Sequence, residues 1–296
     1  MPITARLPAH DKDLGGGFVV RRSLPSAARR SVGPFVFFDH FGPVTLPAGQ
    51  STDVRPHPHI GLETVTYLFE GAMMHRDSLG AVQRIEPGAI NWMTAGRGIV
   101  HSERTPEDLR GTARTMHGLQ LWVALPLALE EAPPAFTHTA SADIPEWRVP
   151  GVVVRVLVGR ASFAGEALQS PVPALAPVLY LDIQLAPGAS LVLPDAPERA
   201  LYLIDGAAVV DGDALDPQVL SVVDGHSVLT SAGGARCALV GGAPLDGHRT
   251  VWWNFVSSRR DRLEQAGADW TAGRFPDVPG ETERIPLPDT RPPADG

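Results

Sequence analysis

Turn-forming residues interrupt this sequence too often for long helices. Thirty glycines and 29 prolines are spread through 296 residues, and both residues favour turns and break regular helix. Between them lie short apolar runs: Phe35 to Phe38, Thr64 to Phe69, Ala89 to Met93 and Leu119 to Ala124 in the first half, then Val152 to Val158, Val178 to Leu185, Leu201 to Ile204, Ala207 to Val210, Val219 to Val223 and Ala238 to Val240. Runs of this length bounded by Gly and Pro are strands. The expected fold class is therefore all-β. Apolar residues make up 44% and charged residues 20%, which supports a packed core and argues against wholesale disorder.

Leu125 to Trp147 carries Pro126, Pro133, Pro134 and Pro145 and little strand pattern, so the linker belongs there. The expected domains are 1–130 and 131–296. The halves echo each other. Tyr67-Leu68-Phe69-Glu70-Gly71 matches Tyr202-Leu203-Ile204-Asp205-Gly206, and Glu63 matches Glu198 at the same offset of 135. Internal duplication of a β-domain follows. One short helix is expected from Arg259 to Ala268, with Ser258 as its cap and Asp261 as the capping-box acid. The tail from Phe275 to Gly296 is rich in Pro and charge and should be extended.

The net charge of −8 and the absence of a basic run argue against direct nucleic-acid binding. Cys237 is the single cysteine, so no intramolecular disulfide is possible. Together with an N-terminus that lacks an apolar signal region, this points to the cytoplasm. No apolar window reaches the roughly 18 residues a membrane span needs.

The chemistry concentrates in Arg55-Pro56-His57-Pro58-His59-Ile60-Gly61-Leu62-Glu63 and in Gly96-Arg97-Gly98-Ile99-Val100-His101-Ser102-Glu103. Residues two apart in a strand share a face. His57 and His59 can therefore aim at one point, and so can His101 and Glu103. Three imidazoles and a carboxylate suit one divalent transition metal better than calcium or magnesium, which prefer oxygen ligands. Glu63 has the same parity as His57 and His59, and Gly61 could interrupt it with a bulge. From spacing alone, Glu63 and Glu103 compete for the carboxylate position.

These segments resemble the pirin family of the cupin superfamily. The likeness rests on them together with Phe37-Phe38-Asp39-His40-Phe41-Gly42-Pro43, Thr64-Val65-Thr66-Tyr67 and Gly118-Leu119-Gln120-Leu121-Trp122-Val123. It covers the N-terminal half nearly throughout and the C-terminal half less densely, through Gly242-Ala243-Pro244-Leu245. The first cupin motif's glycine is replaced by Ser51. The resemblance implies a bicupin of two antiparallel β-barrels, with one metal, Fe(II), in the N-terminal barrel. It implies His57, His59, His101 and Glu103 as ligands, with Glu103 doubling as general base and Glu63 in a supporting or packing role. The C-terminal barrel should hold no metal, since Val192 and Pro194 stand at the offset of 135 from His57 and His59. Some members resemble quercetin dioxygenases, which open a flavonol ring with O₂. The implied function is thus a mononuclear non-haem dioxygenase acting on a polyphenol such as quercetin. The alternative is a metal-dependent regulator acting through a protein partner.

Other residues have plainer expectations. His40 and His117 are structural, with His117 the better candidate for a place beside the metal. Met73-Met74 pack, although they could face a pocket mouth. Arg97 either orients an acidic substrate or pairs with a carboxylate. Cys237 is a small buried apolar group, and Trp252-Trp253 pack the C-terminal segment.

Overall fold

The computed structural model describes residues 2–13 and 18–293. In chain order the strands are β1 (Ile3–Pro8), β2 (His10–Asp13), β3 (Val19–Leu24), β4 (Phe35–Leu46), β5 (Val54–His59), β6 (Leu62–Glu70), β7 (Met73–Asp77), β8 (Val82–Ile85), β9 (Ile90–Thr94), β10 (Ile99–Arg104), β11 (Arg114–Ala124), β12 (Ala135–Thr139) and β13 (Glu146–Val149). There follow β14 (Val152–Val158), β15 (Arg160–Phe163), β16 (Glu166–Gln169), β17 (Val178–Leu185), β18 (Ser190–Val192), β19 (Glu198–Gly206), β20 (Val209–Val210), β21 (Asp213–Ala214), β22 (Val219–Val223), β23 (Val228–Thr230), β24 (Ala235–Gly242), β25 (Thr250–Trp252) and β26 (Phe255–Ser257). One α-helix, α1 (Arg260–Thr271), completes the described elements. The chain is all-β with a short C-terminal helix, as its punctuation implies.

Two compact units interleave along the chain. One comprises residues 1–12, 21–39 and 139–244; the other comprises 13–20, 40–138 and 245–296. Within the second, a large sheet carries the order β12-β9-β6-β11-β4, and a four-stranded sheet runs β5-β10-β7-β8. Within the first, the large sheet runs β1-β22-β19-β24-β17-β14-β13, and a four-stranded sheet runs β18-β23-β20-β21. In chain order within each unit the strands correspond, β6 to β19 and β10 to β23. Duplication is thus visible as matching topology. Only the outer strand differs in origin: β1 from the N-terminus fills the place that β12 fills in the other sheet.

A division at 130/131 would part α1 from the unit in which it packs. Leu263, Ala266 and Trp270 on the helix form one buried cluster with Ile60, Val100, Trp252 and Phe255. The helix is set slightly later than expected, and its capping differs. Arg259 occupies the cap position without a side-chain cap bond. The Ser258 hydroxyl donates instead to Glu130 Oε2 at 2.9 Å, because a buried carboxylate demands donors more strongly than an exposed helix end does. Asp261 stays in the first turn, where the helix dipole favours an acid. Trp252 lies in this cluster with Trp253 packed on it, as expected of that pair.

β6 shows why the four-stranded sheet is well placed. It lies between β9 and β11, which pair both its edges, and seven consecutive residues of its nine are buried, so both its faces are covered. Gly61, just before it, has φ of +68° and would place a Cβ 1.9 Å from the Val256 carbonyl oxygen. Only glycine fits that approach. The bend it permits turns the chain from β5 into β6. No helix among the described residues is long and apolar enough to cross a membrane.

Candidate metal centre

β5 is an edge strand, and its composition suits that place. Pro56 and Pro58 have no N–H to donate, which confines proline to strand edges and irregularities. The prolines alternate with His57 and His59, so both imidazoles face inward. β5 pairs antiparallel with β10, setting His57 opposite His101. The register then slips, and Glu103 stands opposite Val54. This bulge falls at Pro56, which breaks the ladder.

The three imidazoles are buried: His57 is 7% exposed, His59 1% and His101 2%. Their ligand nitrogens all lie within 4.8 Å of one another. His57 Nδ1 donates to the Arg55 carbonyl and His59 Nδ1 to the Asn254 carbonyl, each at 2.9 Å. A neutral imidazole has one N–H, so each anchored ring presents a bare Nε2. Nε2 of His59 lies 3.2 Å from Nε2 of His101. A cation bound at about 2.1 Å from each of two imidazole nitrogens holds them about 3 Å apart. The donor set therefore fits a transition metal. Backbone carbonyl anchoring is also how proteins fix ligating histidines.

The electrostatics agree. Burial first, with a smaller contribution from its neighbour His75, brings His57 down to about 4 against the opposing bond to the Arg55 carbonyl. Burial first, and then the neighbouring imidazoles, hold His59 and His101 well below the ordinary value. All three are neutral near pH 7, the form that binds metal.

The carboxylates separate cleanly. Glu63 is fully buried and accepts from Trp92 Nε1 at 3.0 Å and Thr94 Oγ1 at 2.8 Å. It ties β6 to β9. Glu103 lies two residues beyond His101 on the same strand face, outside the tight cluster of three nitrogens. Burial pushes its carboxyl up to about 7.

Three features escaped sequence reasoning. Asn254 supplies its main-chain carbonyl from the β25–β26 turn, 195 residues from His59. His75 is buried on β7, with Nδ1 3.4 Å from His101 Nδ1 and Nε2 2.9 Å from Asp77 Oδ2. Phe136 stacks on the His75 ring at 4.1 Å and 10°. The His75-x-Asp77 spacing within an alternating strand was an available signal. The main-chain carbonyl had none.

The remaining candidates lie elsewhere. His40 and His117 face each other with their Nε2 atoms 2.8 Å apart. Met73 belongs to an apolar cluster with Phe41 and Leu68. Arg97 is exposed, and its carbonyl accepts from Arg262 of α1 at 2.7 Å. Cys237 is buried, with its thiol pushed up to about 12 by desolvation, which makes it inert.

Comparison with known proteins gives the same picture. Residues 17–123 match the Pirin family model, and residues 180–276 match the Pirin C-terminal cupin domain. A pirin-like protein of Caulobacter vibrioides is 47% identical, over 95% of this chain and 98% of its own. Human pirin is 32% identical, over 90% of this chain and 91% of its own. The crystal structure of a quercetin 2,3-dioxygenase from Acinetobacter baumannii superposes with a TM-score of 0.87 at 37% identity, covering 97% of this chain and 96% of that one. With two matched domains, a conforming bicupin topology and a buried three-histidine site able to hold a metal, this chain belongs to the pirin family.

Proposed function

We propose that this protein is a mononuclear metal-dependent dioxygenase acting on a flavonol such as quercetin. The observation that carries the proposal is the convergence of three neutral imidazoles, two of them steered by main-chain carbonyls, on one buried point. The likeness to the Acinetobacter quercetin 2,3-dioxygenase supports it.

His57, His59 and His101 would hold the metal, with Glu103 as the fourth ligand. An Fe(II) ion there would supply Lewis acidity toward a substrate hydroxyl and a site for O₂ chemistry. The chain's own contribution is positioning and proton handling. His57 and His59 are held by fixed carbonyls, so their rings need no reorganisation when substrate arrives. Glu103 stands two residues beyond His101 on the same strand face, where a carboxylate released from the metal could act as a general base. Its carboxylate oxygen would accept the flavonol hydroxyl proton. Trp92 and Thr94 both donate to Glu63 Oε1, which supports Glu103 over Glu63 for that role.

The test is anaerobic purification, metal analysis, and oxygen uptake with quercetin in the presence of Fe(II). Stoichiometric metal with quercetin-dependent O₂ consumption and CO release is the expected result. Bound metal without uptake would overturn catalysis on this substrate and favour the regulatory alternative, for which partner capture is the next measurement.

A further inference from the structure

We propose that Asp77 and His75 are positioning residues that set the tautomer of His101, so that its Nε2 is bare toward the metal. The proposal rests on the three-histidine reading of the site. Asp77 is fully buried. Its Oδ1 accepts the main-chain N–H groups of Leu79 at 2.9 Å and Ala81 at 3.1 Å. Its Oδ2 faces His75 Nε2 at 2.9 Å. A carboxylate so engaged is an acceptor, so His75 carries its proton on Nε2 and donates it to Asp77.

The consequence passes along the ring. A neutral His75 protonated at Nε2 has a bare Nδ1, and that atom faces His101 Nδ1 at 3.4 Å. With a cation on the Nε2 side, where His59 also presents a bare Nε2, the His101 proton sits on Nδ1, and His75 Nδ1 is the acceptor placed to take it. His101 Nε2 is then bare, and it is the atom 3.2 Å from His59 Nε2. Each link is mechanically held. Phe136 stacks on His75 and fixes its plane. The turn that bonds Asp77 is tied to β10, with Ser78 N–H donating to the Val100 carbonyl at 2.8 Å and Val100 N–H donating to Ser78 Oγ at 3.1 Å.

This arrangement sets His101 apart from its neighbours. His57 and His59 rest on carbonyls, which can only accept, so no side-chain substitution at the acceptor can alter their tautomers. His101 rests on side chains, and its tautomer is therefore open to mutation. Asp77→Asn is the sharp probe. The amide oxygen can still accept from Leu79 and Ala81, and the amide N–H then donates to His75 Nε2. That moves the His75 proton to Nδ1 and the His101 proton to Nε2, the atom the metal requires. Replacing a carboxylate by an amide behind an imidazole is known to select the wrong tautomer in this way.

The experiment uses full-length protein, long-range ¹H–¹⁵N correlation of its histidine rings with and without bound Zn(II), and titration of the metal-free protein with Co(II) monitored by visible absorbance. Zn(II)-loaded wild type is expected to show His75 protonated at Nε2 and His101 at Nδ1, and metal-free Asp77→Asn to show His75 protonated at Nδ1 and His101 at Nε2. Co(II) affinity should fall about 10–100-fold in Asp77→Asn, the range found when partners of metal-ligating histidines are removed. His75 protonated at Nδ1 in Zn(II)-loaded wild type would overturn the proposal without any variant. So would an Asp77→Asn protein that folds, keeps the wild-type tautomer and binds Co(II) as tightly. Wild type that shows His75 protonated at Nε2 but binds neither Zn(II) nor Co(II) would sink the three-histidine metal reading while leaving the Asp77–His75 link standing.

Discussion

In the sheet β5-β10-β7-β8, His57 stands opposite His101; in the matching sheet β18-β23-β20-β21, Leu191 stands opposite Leu229. The two sheets share strand order and antiparallel pairing. Leu191 and Leu229 belong to a large apolar cluster with Val210, Leu215 and Leu239. Full burial of such a side chain contributes roughly 1.5–3 kcal/mol. The imidazoles buried on the β5–β10 pair contribute no comparable apolar area, and burying a polar ring is unfavourable unless it is hydrogen-bonded. The histidine-bearing unit meets that requirement with the Arg55 and Asn254 carbonyls and with His75. The same scaffold thus serves as a packed core in one copy and as a ligand cage in the other, depending on a handful of side chains.

The comparison can be broken most forcefully at His101. His101→Ala should reduce bound metal from one equivalent to almost none and abolish turnover with it, as measured by metal analysis and oxygen uptake. Retention of turnover in metal-free protein would refute the site. Next in size is Glu103→Gln. Loss of a general base typically lowers rate about 10²–10⁴-fold, so kcat should fall by that order while the three imidazoles still bind metal. An unchanged kcat would remove Glu103 from the reaction.

The leucine-filled copy offers the third test. Leu229→Ala should destabilise by about 2–5 kcal/mol through lost burial and a cavity, as read from denaturant midpoints, without touching metal content. A fourth test concerns acid. The ordinary histidine value is 6.5, and His57 is pushed down to about 4, with His59 and His101 also well below the ordinary value. Across that window the unfolded chain binds protons that the folded metal-free chain does not, so folded stability falls as pH falls below 6.5. Glu103 opposes this, because its carboxyl rises from 4.5 to about 7 and favours the folded state most at low pH. Three imidazoles outweigh one carboxyl. Urea midpoints of metal-free protein should decline from pH 6.5 to 4.5. Replacing the three histidines by leucine should flatten that decline. The smallest effect belongs to Cys237→Ala, which removes one buried sulfur and should change stability by about 1 kcal/mol, with no change in reactivity toward oxidants.

Much of this was legible because strand physics is local. Alternation placed His57 and His59 on one face, and the same rule joined His101 to Glu103. The 135-residue offset between Glu63 and Glu198 foretold matching sheets. Sequence reasoning was weaker wherever a partner lies far along the chain. Parity allowed Glu63 to face the metal, but Trp92 and Thr94 on β9 capture its carboxylate. Ser258 has the signature of a helix cap, yet Glu130 takes its hydroxyl.

By itself the sequence determined the element type, the duplication and the three inward-facing imidazoles, because each depends on residue spacing within a strand or on composition between turns. The tertiary structure alone decided that β1 and α1 join units distant in sequence, that a carbonyl 195 residues away steers His59, and that His75 and Asp77 stand behind His101. The physical reason is common to all three. A hydrogen bond or an apolar contact depends on distance in space, and chain folding, not spacing along the sequence, sets which groups meet.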